Sequence, residues 1–208
     1  LTQPKLIILG TNDPYWPLDA LNLYWDGLVG QKHVLYIPNN GHGLKDVPRL
    51  VGGLSALHQQ AAGGKPLPKL QWKFRPEATH LALDVGSDVA PERVDAWIAT
   101  APTKDFREAQ WKSTPARRTK DGYVCELALP TTGYAAMFGE YVFQSESGLP
   151  YYLSTSVKIV EPAAAGGGRD CRRGGLRPRR AGRGVRPRLH LRTRLRDRAD
   201  RRSRRSLH

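Results

Sequence analysis

Lys5-Leu-Ile-Ile-Leu-Gly-Thr-Asn-Asp-Pro14 and His33-Val-Leu-Tyr-Ile-Pro-Asn-Asn-Gly-His42-Gly43 set the architecture of the first part of the chain. Each is a short, unbroken apolar run closed by Gly or Pro and then by a polar turn. A strand buried on both faces of a parallel sheet reads this way. Between them, Leu18, Leu21, Trp25 and Leu28 fall on one face of a helix predicted over 18–28. Asp19 stands where an N-cap is needed, and Gly27 and Gly30 where a helix would stop. Beyond the second run, Val47, Leu50, Val51, Leu54 and Leu57 form the apolar stripe of a second helix over about 46–62. Gly63, Gly64, Pro66 and Pro68 then read as a linker. The order strand, turn, helix, strand, turn, helix predicts an α/β layout with a parallel pair of strands over residues 1–68.

In open α/β sheets, function sits beyond the carboxyl ends of the strands. Asp13 and His42 lie in the turns that follow the two apolar runs. Neighbouring parallel strands would bring both turns to one edge of the sheet, where carboxylate and imidazole can meet. An Asp that fixes the tautomer of a His, leaving it free to take a proton, is the orienting half of a nucleophilic triad. The plainer alternative has Asp13 making an Asx-turn and His42 as an ordinary loop histidine. Spacing leaves both open. Asp19 is the other carboxylate in reach, and its helix-capping role is preferred over an acid role.

The stretch Leu9-Gly-Thr-Asn-Asp-Pro-Tyr-Trp-Pro-Leu-Asp-Ala-Leu-Asn-Leu-Tyr-Trp25, followed by Tyr36-Ile-Pro-Asn-Asn-Gly-His-Gly-Leu44, resembles the PhoPQ-activated pathogenicity-related protein family, whose eukaryotic relatives are the autocrine proliferation repressor proteins. The likeness extends over about residues 1–160 and is specific in the first 45. It implies that residues 1–68 are the C-terminal part of an α/β-hydrolase-like domain, with Asp13 as triad acid and His42 as triad base. The fold's order of triad residues is Ser, then Asp, then His. The family would place the protein in the periplasm or outside a bacterial cell. One departure bears on activity: no G-x-S-x-G nucleophile elbow occurs in these 208 residues. Ser55 falls after the His and lacks the second Gly. With no initiator Met, Leu1 reads as a cut from something longer, so the nucleophile is expected upstream, and the chain alone is expected to be inactive as a hydrolase. The substrate class (small molecule, peptide or glycan) stays open.

From about residue 69 the hydrophobic period changes to two, as in Leu81/Leu83/Val85 and Val94/Ala96/Ile98. Strands are predicted at 70–75, 79–85, 93–101, 106–113, 122–129, 134–145 and 151–160. That spacing reads as an antiparallel β-sandwich of immunoglobulin or fibronectin type over 69–162. Trp72, Trp97 and Trp111 are either sugar-stacking faces or core filling, and core filling is preferred. Lys112, Arg117, Arg118 and Lys120 read as a solvated loop. A non-catalytic binding role for this sandwich is the main alternative function.

The formal net charge of +14 comes entirely from residues 163–208, which hold 17 Arg, no Lys and 3 acidic residues. Residues 1–162 are neutral, so charge excludes nothing about their partner. The tail lacks Ile, Phe, Tyr, Trp and Met, and its composition predicts disorder. It reads as a nucleic-acid-binding arm, a solvated tail, or an out-of-frame translation of GC-rich DNA; nucleic-acid binding is expected only through this segment. Cys125 and Cys171 stand one to a segment, which excludes a C-x-x-C metal site. No cofactor or metal is expected, and no apolar run is long enough to span a bilayer.

Overall fold

The computed structural model describes residues 2–162. The expectations made for the Arg-rich tail, and for Cys171 within it, lie outside the described residues. Strands predominate. In chain order they are β1 (Lys5–Gly10), β2 (Lys32–Ile37), β3 (Leu70–Pro76), β4 (His80–Ser87), β5 (Arg93–Ala101), β6 (Lys112–Pro115), β7 (Arg117–Thr119), β8 (Gly122–Ala128), β9 (Tyr134–Gln144), β10 (Pro150–Ser154) and β11 (Lys158–Val160). The α-helix α1 (Val47–Ala61) follows β2.

The larger sheet has the order β1-β2-β10-β9-β5-β6, with β11 also paired to β9; the smaller has the order β3-β4-β8-β7. β1 and β2 are parallel, in register from Lys5 opposite Lys32 to Gly10 opposite Ile37. Every other pairing is antiparallel. The larger sheet holds strands from both 1–68 and 69–162, because β10 closes the free edge of β2. A buried apolar strand such as β2 needs a partner for its edge hydrogen-bonding groups. Ser154 supplies it, pairing with Val34 and accepting the Tyr36 N–H on its Oγ at 3.0 Å.

One face of the larger sheet packs on the smaller sheet and α1. Leu81, Leu83, Val85, Cys125 and Leu127 meet Val94, Ala96, Met137, Tyr141 and Phe143 there. Its other face is covered by the loops after β1 and β5, through Leu21, Phe106 and Trp111 over Tyr36 and Phe138. α1 lies against β10 because of Gly52: a Cβ there would come 2.3 Å from the Pro150 carbonyl oxygen. Asp46 caps α1, accepting the Arg49 N–H at 3.2 Å, with Pro in the first turn.

Glu140, opposite Ser154 in β9, is fully buried. Arg49 donates to both its oxygens at 3.1 Å, and Trp97 Nε1–H adds a third bond at 3.0 Å. The guanidinium also lies 4.5 Å from the Tyr152 ring centroid and pairs with Asp46.

Several local expectations are corrected. The helix over 18–28 is only a short 3-10 turn, Ala20–Leu23, and Asp19 makes no capping side-chain bond. Tertiary partners reach the carbonyls of this stretch: Tyr36 OH donates to Leu18 O, and Lys32 Nζ shares Trp25 O with the Leu28 N–H. The strand at 106–113 begins only at Lys112, because Phe106 and Trp111 are buried from a loop. The basic loop includes an edge strand, β7, and 151–160 is split where Thr155 turns to bond Gly139. Trp111 is core, whereas Trp72 and Trp97 are half-buried.

Candidate active site

The loops after β1 and β2 leave the same end of the parallel pair, as parallel registration dictates. They touch closely. Thr11 N–H donates to Ile37 O at 3.1 Å and Asn12 N–H to Asn40 O at 2.9 Å. Only Gly is accommodated at position 10, since a Cβ would stand 2.3 Å from Asn40 O and 2.6 Å from Gly41 O. That approach brings Asp13 and His42 together, with His42 Nδ1 2.9 Å from Asp13 Oδ2.

The other carboxylate oxygen, Oδ1, accepts the Tyr15 N–H at 2.8 Å and the Trp16 N–H at 3.3 Å. The Asx-turn and the carboxylate–imidazole pair, weighed as alternatives, are both present on one side chain. The turn aims the carboxylate and the second oxygen holds the ring. Asp13 is 8% exposed, whereas the His42 side chain is 58% exposed. Burial alone would raise the Asp13 pKa. The hydrogen bonds from Tyr15, His42 and Trp16, with the attraction of the imidazole, outweigh it and hold Asp13 below the ordinary carboxylate value. The carboxylate is therefore anionic at neutral pH and accepts from Nδ1–H, which leaves Nε2 as the proton-accepting nitrogen. Tyr15 packs against the imidazole at right angles, ring centroids 5.0 Å apart.

A clamp that sequence reasoning missed fixes both loops. Asn12 Nδ2 donates to the carbonyls of Phe106, Arg107 and Ala109 at 3.2, 2.9 and 2.7 Å. Asn39, at φ 57°, exchanges two hydrogen bonds with the Trp111 backbone, at 3.0 and 2.7 Å. These Asn residues read in sequence as turn formers. The only available signal was their density, with Asn12, Asn39 and Asn40 all flanking the candidate pair.

A cavity of about 310 Å³ adjoins Asp13 but is not lined by His42; Tyr15, Trp16, Phe106 and Arg107 are among its walls. Asp19 precedes the 3-10 turn that Ala20 starts and makes no side-chain capping bond there. Among the described residues His42 hydrogen-bonds to Asp13 alone. Ser55 lies within α1. Burial pushes the Cys125 thiol up to about 12, so it is no thiolate at neutral pH. Among the described residues no group of three or more His, Cys, Asp or Glu is placed to hold a metal ion. No helix among them is long and apolar enough to cross a membrane.

Two loops at the carboxyl end of a parallel pair, one presenting an anionic Asp and the other a His held by it, define a carboxylate–imidazole site on a β-rich scaffold. The sequence profile of the PhoPQ-activated pathogenicity-related proteins matches residues 1–107, and the chain belongs to that family. No curated protein and no solved structure matches it.

Proposed function

We propose that Asp13 and His42 are the acid and base of a Ser-His-Asp-type triad in a hydrolase of the α/β-hydrolase class. The serine would be supplied by sequence outside these 208 residues. The observation that carries this is the 2.9 Å Nδ1–Oδ2 bond on a buried carboxylate, with the rest of the imidazole facing solvent. That is the geometry in which Nε2 takes a proton from a nucleophile and later returns it. In the same proposal, β1, β2 and α1 are the end of the hydrolase sheet, and 69–162 is an immunoglobulin-like sandwich. Supporting the latter, β3-β4-β8-β7 faces a β10-β9-β5-β6 set, the pairing order of such sandwiches.

The chain on its own is then not a triad hydrolase, since loss of the nucleophile removes most of the acceleration. Proton NMR tests the pair directly. The Nδ1–H of His42 is expected far downfield and is lost in Asp13→Asn. An unshifted Nδ1–H would reject the assignment; turnover of p-nitrophenyl acetate by this chain that His42→Ala abolishes would refute its inactivity on its own.

A further inference from the structure

His33, in β2, is 7% exposed, and its Nε2 has no hydrogen-bond partner among the described residues. A buried polar atom left so is destabilising unless something meets it. His33 lines a cavity of about 200 Å³, together with Trp25, Trp72, Gln31 and Ser154. A second cavity of about 620 Å³ shares Trp25, Leu70 and Trp72 with the first and adds Asn22, Gln71 and Ser156. The two cavities therefore flank one indole pair.

That pair is built rather than incidental. Trp25 and Trp72 sit with ring centroids 5.7 Å apart, tilted by 46°. Trp72 Nε1–H donates to Ser156 Oγ at 3.0 Å. Lys32 Nζ lies 5.0 Å from the Trp25 ring centroid and bonds its carbonyl. Both indoles are half-buried, unlike the core Trp111 at 3% exposed.

We propose that this seam between the two sheets is a saccharide-binding groove, in which a sugar ring stacks on the Trp25–Trp72 pair and the lining side chains shift so that one of its hydroxyls meets Nε2 of His33, an atom that solvent does not reach in the free chain. The ligand must offer an apolar face and a hydrogen-bonding edge at once. A pyranose does so through its C–H face and its hydroxyls. A hydroxyl both donates and accepts, so it satisfies Nε2 in either tautomer. The rim mixes amides and hydroxyls with the charged Lys32, Lys69, Lys158 and Asp26, all of which can bond a polyol. Lys32 is engaged with the Trp25 carbonyl. A wholly apolar ligand would leave Nε2 unmet. The smaller cavity is below the roughly 300–1,000 Å³ of sites for drug-sized ligands, which fits a single ring there with further rings in the larger one. The groove is independent of the Asp13–His42 pair and stands if that assignment fails.

The test is a titration of the full chain with glucose, galactose, N-acetylglucosamine, cellobiose and chitobiose, followed by tryptophan fluorescence and by the His33 imidazole NMR signals. At least one sugar is expected to give a saturable change in both, at the same half-saturation. Trp72→Ala, shown folded by circular dichroism, is expected to weaken that binding at least about tenfold. Should that variant not fold, intermolecular NOEs in the natural chain decide. Sugar C–H protons close to the Trp25 and Trp72 indoles support the groove. Contacts to Trp16, beside Asp13, overturn it and move the sugar to the other cavity. Absence of saturable binding by every sugar, or binding unchanged in folded Trp72→Ala, also overturns it.

Discussion

Replacing Arg49 by Met removes two hydrogen bonds to Glu140 and, among the described residues, the only cation paired with it; the Glu140 side chain is 0% exposed. The carboxylate keeps the Trp97 Nε1–H alone. Removing one partner of a buried ion pair costs about 3–5 kcal/mol, because the remaining charge is neither solvated nor paired. Arg49 is itself 19% exposed and pairs with Asp46, so the lower half of that range applies. With a urea slope of ~2 kcal/mol/M, the midpoint of unfolding falls by roughly 1.5–2 M. Glu140→Leu added to Arg49→Met removes the orphaned charge and is expected to restore most of the loss, since apolar groups of similar volume often match a buried pair. The assay is urea denaturation of the four chains of this cycle, read by Trp97-sensitive fluorescence and by circular dichroism. A loss below about 1 kcal/mol for Arg49→Met, or a double variant as unstable as the sum of the singles, would refute the coupling.

Acid stability follows from His33. Burial lowers its imidazole from 6.5 to about 4, with Asp88 opposing weakly. The unfolded chain therefore binds a proton that the folded chain resists. The stability this neutral histidine contributes is complete above pH 6.5 and drains away as pH falls toward 4, by on the order of 3 kcal/mol. His33→Phe should flatten that slope in denaturant melts at pH 4.5 to 7 (about the window the shift defines); an unaltered slope contradicts the assignment. Gly10→Ala forces a Cβ to within 2.3 Å of Asn40 O. It should cost about 1–3 kcal/mol and abolish the downfield His42 proton, and survival of that signal would show that the loops do not depend on this approach.

The meeting of Asp13 and His42 was legible in sequence because it needs only two facts: both follow apolar strands, and parallel neighbours send their next loops the same way. The antiparallel strands were legible through their alternation, and 93–101 was read with the observed bounds. The stripe Leu18, Leu21, Trp25, Leu28 misled because periodicity cannot report what claims the backbone. Here side chains of β2 reach the Leu18 and Trp25 carbonyls, the latter shared with the Leu28 N–H. The joining of β2 to β10 was equally hidden. An apolar run states that both faces are buried but carries no register and no name for its neighbour. The Asn12 and Asn39 clamps were hidden for a related reason, since their partners are the backbone of a loop some 70 to 100 positions later.

The bond from Tyr36 N–H to Ser154 Oγ spans 118 residues of sequence. At a synthesis rate of about 5–20 residues per second, a ribosome needs roughly 6–24 s after Tyr36 before Ser154 is made. Throughout that interval β2 has a bare edge, and Val34, Tyr36 and Ile37 await partners that do not yet exist. The parallel pair is thus completed late, when β10 docks between β2 and β9. Nascent chains stalled before residue 150 should be the species that chaperones hold, and release should coincide with the emergence of Pro150–Ser154 from the exit tunnel.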